Sequence, residues 1–385
     1  MASCKKFVTT FGVKHPIIQA PMAGASTPEI ASSVVNAGAI GSLPLAGIKY
    51  DQPEKLHSIL TKYKSLVAPG TDYRNVNLNF FCYDLPNVNK KDVNRAWIRH
   101  IQKYFLPFGI ASDSYTDTLR DTYDSFARIE EFPEYLEAII EFQPKIISFH
   151  FGIPPARVLE RLRSAGIKLF ISITNVDELK QVLAAGFDGI ILQGYNAGGH
   201  RGSFTRNHLT DSKLDTRILT EEVLEYLKLT GTGGDNLFVI PAGSISTGKQ
   251  IAGYLRIPGV SATQLGSVFL PTPESSVPQY HKDLLTSNPN GFETIMTPYC
   301  TGRAARAFKT PFMVKLYKDS INLEIPDYPL PADVFRGLNA ELVQKIGRYD
   351  YNMYLVGAGH TNLRADPVDV VINRLITECQ VVLGK

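Results

Sequence analysis

Short runs of consecutive apolar residues recur along the chain, each closed by a polar or glycine-rich turn. Eight stand out, at 17–20, 39–43, 76–81, 145–150, 168–173, 189–193, 237–241 and 261–267. Apolar residues at successive rather than alternating positions predict strands buried on both faces, and such strands belong to parallel sheets. Parallel strands need crossover connections, and helical spacing follows nearly every run. Ser26 or Thr27 caps a helix that has Pro28 at its first position and carries Ile30, Val34 and Val35 on one face. Further helices are predicted at 52–66, 133–142 and 155–165, from the cap Asn175 to 185, within 211–230, and from Ser246 or Thr247 to 255. Eight strand–helix units in a row favour a closed TIM (β/α)8 barrel over an open doubly wound sheet.

Two segments depart from this alternation. Residues 82–132 are rich in Asn, Asp, Lys, Tyr and Ser and too long for an ordinary connection. They read as a helical insertion with helices near 93–104 and 117–130. From about 271 the chain reads as helical with many tyrosines and prolines, ending in a helix at 368–383. The expected organisation is a barrel from 1–81 and 133–270, with 82–132 and 271–385 forming a smaller, mainly helical second lobe.

Composition narrows the class without changing this picture. At 385 residues, 44% hydrophobic and 20% charged, the chain describes a globular protein with a large core. A net charge of +3 makes no case for nucleic acid or an acidic membrane surface. No apolar run reaches 18 residues, so no membrane span is expected. The four cysteines are scattered and lack metal-ligand spacing, which argues against a zinc site and for reduced thiols. The N-terminal stretch has no apolar signal region, and the last residues are not a Ser-Lys-Leu address; the expected location is cytoplasmic.

The candidate chemistry sits at the ends of the predicted strands. The first runs into Pro21-Met22-Ala23-Gly24, the third ends near Asn79, the fourth in His150 and the sixth in Gln193. The seventh leads to Gly243, and the eighth carries Gln264-Leu265-Gly266-Ser267. In a barrel these ends share one face, where active sites lie, and the loops after strands seven and eight commonly hold a phosphate. Gly198 and Gly199 permit close backbone approach to a flat ligand, and His200 follows them as a candidate for proton transfer. Amides such as Asn79 and Gln193 suit the carbonyl and N–H edge of a flavin. The competing readings are a glycine-rich turn with a surface histidine at 198–200, structural strand-end amides, and a core role for His150. Arg303 and Arg306 read as helix-surface or lobe-pairing residues.

Taken in order, Ala20-Pro21-Met22-Ala23-Gly24, Phe149-His150-Phe151-Gly152, Leu192-Gln193-Gly194, Ala197-Gly198-Gly199-His200-Arg201-Gly202, Pro241-Ala242-Gly243-Ser244-Ile245 and Gln264-Leu265-Gly266-Ser267 resemble the nitronate monooxygenase family. Thr301-Gly302-Arg303 extends the match, and the length and long insertion resemble fungal members. The resemblance implies a TIM barrel binding FMN noncovalently, which oxidises alkyl nitronates such as propionate 3-nitronate with dioxygen to carbonyl compounds and nitrite. It implies FMN contacts from Pro21, Met22, Ala23, Asn79, Gln193, Gly198, Gly199, Gly243, Gln264, Leu265, Gly266 and Ser267. His200 is implied as base or anion-binding group, with His150 the alternative. Two places differ from the family pattern. Tyr195-Asn196 precedes the Ala-Gly-Gly-His run where many relatives are acidic, and Leu355-Val356-Gly357-Ala358-Gly359-His360 stands near a usual Trp-Ala-Gly-Gln segment. The alternative reading is a nicotinamide-dependent FMN reductase of the enoyl-reductase type on the same barrel. Small-molecule partners and a monomer or homodimer are expected.

Overall fold

The computed structural model describes residues 2–84, 91–110, 125–287, 293–359 and 363–384. Eleven strands are found among them. In chain order they are β1 (Ile17–Gln19), β2 (Gly41–Pro44), β3 (Val76–Phe81), β4 (Ile146–His150), β5 (Lys168–Ile173), β6 (Gly189–Gln193), β7 (Gly199–His200), β8 (Phe238–Ala242), β9 (Thr263–Leu265), β10 (Thr294–Thr297) and β11 (Ala305–Phe308). All except β7, β10 and β11 form one parallel sheet in the order β1-β9-β8-β6-β5-β4-β3-β2. Backbone bonds from Ile40 N–H to Ile17 O (3.0 Å) and from Gln19 N–H to Ile40 O (2.9 Å) join its two ends. The sheet is therefore a TIM barrel.

The continuous apolar runs are explained by two separate cores. Leu78, Phe80, Ile147, Phe149, Leu169, Ile171, Ile190, Leu192 and Val239 face outward into one cluster with the surrounding helices. The alternate residues Ile146, Phe170, Ile191, Phe238 and Ile240 pack in another cluster. These alternate positions become polar toward the strand ends: Ile146-Ser148-His150 on β4, Phe170-Ser172 on β5, Ile191-Gln193 on β6. The gradient makes one end of the barrel a packed core and the other a place for chemistry. Gly189 belongs to this packing, since a Cβ there would lie 2.6 Å from the Phe170 ring.

The packed end is sealed by a helix that the strand–helix reading did not anticipate, Ala2–Phe11. Phe7 and Phe11, one turn apart, stand fully buried against Phe170 and Phe238, with ring centroids 5.3–6.1 Å apart. The four-residue spacing of two phenylalanines was the available signal. Thr27, Asn175 and Thr247 cap the helices that follow β1, β5 and β8, each accepting a backbone N–H three residues on.

Outside the barrel, Trp97, Ile98 and Ile101 of helix Lys91–Gln102 share a core with Tyr299, Phe312, Met313, Phe335 and Leu338. The helix expected at 117–130 lies partly outside the described residues; its described part is a 3-10 segment, Phe126–Glu131. Two further differences concern the C-terminal third. It is not wholly helical, because β10 and β11 form an antiparallel sheet with β7. The last helix, Val368–Leu383, packs on the barrel helices Gly248–Leu255 and Pro28–Asn36. Leu375 and Cys379 are buried in that core, and Gly248 has no room for a side chain against Glu378 and Leu375.

Candidate active site

The polar end of the barrel opens into a cavity of about 330 Å³, within the range of small-molecule sites. Pro21, Met22, Ala23, Asn79, Gln193, Gly198, Gly199, Gly243, Gln264, Gly266 and Ser267 line it, as do His150 and His200. Leu265 does not. As the middle residue of a strand-end triplet its side chain turns outward into the helix-packed core, and only its carbonyl serves this face, accepting from Ala20 N–H at 2.7 Å. Residues 352–357 and Gly359 also line the cavity; those from 355 on belong to the segment that stands near the family's Trp-Ala-Gly-Gln, and sequence reading gave 352–354 no role. Within that segment the Gly357-Ala358-Gly359 run is the local signal for so close a backbone approach.

The loop after β6 is held from several sides. Gln193 donates from Nε2 to His200 O (2.8 Å) and accepts from Gly202 N–H at Oε1 (2.7 Å). Arg201 and Asp211 form a buried ion pair at 2.7 Å, and Arg201 also donates to the carbonyl of Gln193. β7 pairs with β11, placing His200 opposite Ala305. A Cβ on Gly202 would lie 2.5 Å from the His150 ring, and one on Gly198 2.5 Å from Gly357 N. These glycines serve loop-on-loop packing. So does Gly243, where a Cβ would meet Thr216 and Ala197 below 3 Å. Gly266 differs, since the nearest atoms to a Cβ there are Ala20 Cβ at 3.4 Å and Met22 Sδ at 3.7 Å. Its backbone faces open space.

His200 is caged by Phe81, Phe151 and Tyr328, with ring centroids 5.8–6.1 Å away. Its Nε2 is buried without a hydrogen-bond partner. Burial, then the nearby Arg303 charge, pushes its pKa down to about 4. His150 is pushed to about 3, chiefly by burial, and its Nε2 lies 3.1 Å from His200 O. Both imidazoles are therefore neutral at pH 7. Arg303 and Arg306 are not helix-surface residues. Both are buried around β11, where Arg306 donates to Tyr195 O and Thr294 Oγ1.

Polar atoms left over around the cavity define what a ligand must offer. Gln264 Oε1 is buried and unpartnered, so it calls for an N–H or O–H donor. Asn79 uses its Nδ2 on Ser148 O and Oγ (3.2 and 2.9 Å), leaving Oδ1 as an acceptor. Ser267 Oγ accepts from Gly357 N–H at 2.9 Å, and its hydrogen remains available to an anion. Ser244, by contrast, is engaged with Asn196 O and Gly359 N–H. His281 Nε2, buried at the cavity wall, also has no partner. This donor and acceptor set, beside the open backbone at Gly266 and the helix starting at Gly248, fits a flat phosphorylated cofactor with both N–H and carbonyl edges.

The chain is similar to several known proteins. A family profile described as Nitronate monooxygenase matches residues 5–378. The chain is 35% identical to the nitronate monooxygenase of Paraburkholderia phytofirmans, over 95% of this chain and 93% of that one. It is 31% identical to a putative nitronate monooxygenase of Saccharomyces cerevisiae, over 94% and 89% respectively. Among solved structures, nitroalkane oxidase from Streptomyces ansochromogenes superposes with a TM-score of 0.82 at 26% identity, covering 98% of this chain and 99% of that one. FabK from Thermotoga maritima, at 20% identity and TM-score 0.67, shares the fold.

Proposed function

The chain belongs to the nitronate monooxygenase family, a family of flavoprotein oxidoreductases, and on that premise we propose how its cavity divides the work. The flavin is FMN. Gln264 Oε1 and Asn79 Oδ1 would accept from its ring or side chain, and Gly266 with the Ser267 hydroxyl would receive its phosphate. The chemistry FMN supplies when bound is electron transfer from an alkyl nitronate to dioxygen, giving a carbonyl compound and nitrite.

His200 is the residue facing the substrate. The observation that carries this reading is its unpartnered Nε2, neutral and caged at the cavity wall, while the Nε2 of His150 is engaged with the backbone of His200. Neutral imidazole cannot act as a standing cation for an anionic nitronate; it can take the α-proton of a neutral nitroalkane at Nε2, or hydrogen-bond to a nitronate oxygen. His150 then positions the loop, and Phe81, Phe151 and Tyr328 exclude water around the ring.

No described helix is long and apolar enough to cross a membrane. The four cysteines form no disulfide and three of them are buried, which supports a reducing compartment such as the cytoplasm.

The decisive experiment is His200→Asn with FMN content checked first, followed by oxygen consumption on a nitroalkane and on its preformed nitronate. A positioned base contributes about 100- to 10,000-fold, so nitroalkane turnover should fall by that order while part of the nitronate turnover survives. Equal wild-type rates on both forms would remove His200 from the chemistry.

A further inference from the structure

A second cavity, of about 700 Å³, lies on the other side of the aromatic cage. Tyr83, Arg206, His208, Arg303, Pro326 and Tyr328 are among the residues that line it, and none of them lines the cavity at the barrel mouth. Arg303 is only 6% exposed. The one hydrogen bond its side chain makes among the described residues runs from Nη1 to Ser203 O at 3.0 Å, and no described carboxylate ion-pairs with it. Its guanidinium lies 4.1 Å over the Phe151 ring. The turn presenting it is built for that purpose: Gly302 has a φ of +82°, and a Cβ there would lie 2.9 Å from Pro326 O and Tyr328 N. Arg206, at the same cavity, is already paired with Asp327 at 3.1 Å.

Asp84 acts on Arg303 through its charge but forms no ion pair with it, and a cation buried this deeply without a paired carboxylate is costly unless something pairs with it. Stacking on Phe151 and one carbonyl leave most of the five-donor fork unused. A guanidinium fork matches a planar two-oxygen anion, to which it donates two parallel hydrogen bonds. We infer that the cavity at Arg303 is a second binding site that takes a small planar oxyanion, separate from the cavity at the barrel mouth. Two sources share this chemistry, a small carboxylate and nitrite. Only the relevance of nitrite rests on the reaction proposed above; the site itself does not.

The test is calorimetric titration of flavin-loaded protein with sodium formate and with sodium nitrite, in a constant chloride background. Saturable one-to-one binding is expected, and the tighter anion identifies the source. Arg303→Lys keeps the charge but loses the fork, so affinity should fall at least about tenfold. His200→Asn should leave affinity within about twofold, since two hydrogen bonds of the site remain intact. Unchanged affinity in Arg303→Lys, or equal loss in His200→Asn, would overturn the assignment. So would full competition by chloride, which has no planar pair of oxygens. If Arg303→Lys does not fold by circular dichroism, Arg206→Gln decides. Removing that partly screened charge should weaken formate binding by about two- to fivefold, and no change would reject the site.

Discussion

Replacing Gln193 with leucine separates two roles that a strand-end amide can play. The residue is 9% exposed, and its carboxamide is committed to the His200 loop at both ends, donating to His200 O at 2.8 Å and accepting from Gly202 N–H at 2.7 Å. Leucine has nearly the same shape and neither bond. Losing the second bond leaves the buried Gly202 N–H unpaired, at about 1–3 kcal/mol, whereas His200 O keeps His150 Nε2 at 3.1 Å, so the loop is destabilised by roughly 1–3 kcal/mol before relaxation. The Arg201–Asp211 pair and the β7–β11 pairing still anchor the segment, so it loosens locally and the barrel stays folded. The assay is amide hydrogen exchange at Gly202, read beside flavin affinity and turnover. A loss of 2 kcal/mol corresponds to about 30-fold faster exchange. The Gly202 amide should lose about that much protection, and turnover should fall about tenfold or more as His200 loses its position. Flavin affinity should change by less than about threefold. Unchanged protection at Gly202 together with a large loss of flavin would refute the loop-clamp argument and return Gln193 to the ring edge.

Other outcomes follow from the same geometry. Gly266→Asp puts a carboxylate on the open backbone proposed for the phosphate. Two such charges about 4 Å apart repel by about 4 kcal/mol at an effective dielectric of 20, so FMN affinity by fluorescence titration should drop more than tenfold with the fold intact. Gly198→Ala drives a methyl into the Gly357 backbone, and a lowered melting temperature with reduced flavin retention should follow. His150 and His200 have folded values near 3 and 4 against 6.5 unfolded, so below pH 6.5 the unfolded chain takes up protons that the native state refuses. Stability is then full above about pH 6.5 and declines as the pH falls toward 4, by about 2 kcal/mol per histidine at pH 5. Urea midpoints at pH 7.5 and 5.0 measure this, and His200→Asn should remove part of the difference.

The barrel was legible in the sequence because its cause is local. A strand buried on both faces must be apolar at every position, and a helix capped by Thr27, Asn175 or Thr247 announces its own start. Repeating such units eight times leaves little choice but closure, and closure brings the strand ends together. Hence His150, Gln193, Gln264 and Gly266 were all identified before their neighbours were known. Reading Leu265 as part of the same cradle failed on strand alternation, which turns that side chain outward. Most of what the tertiary structure decided is non-local. The plug at Phe7 and Phe11 packs its rings against Phe170 and Phe238, about 160 or more residues away. The pairing of His200 with Ala305 joins segments about 100 residues apart, with no repeat to foretell it. The partners of Gln193 and the lack of an ion-paired carboxylate for Arg303 among the described residues are likewise properties of a packed interior. Sequence supplies the polar groups, and only their arrangement in space decides which of them are satisfied by the protein and which are left for a ligand.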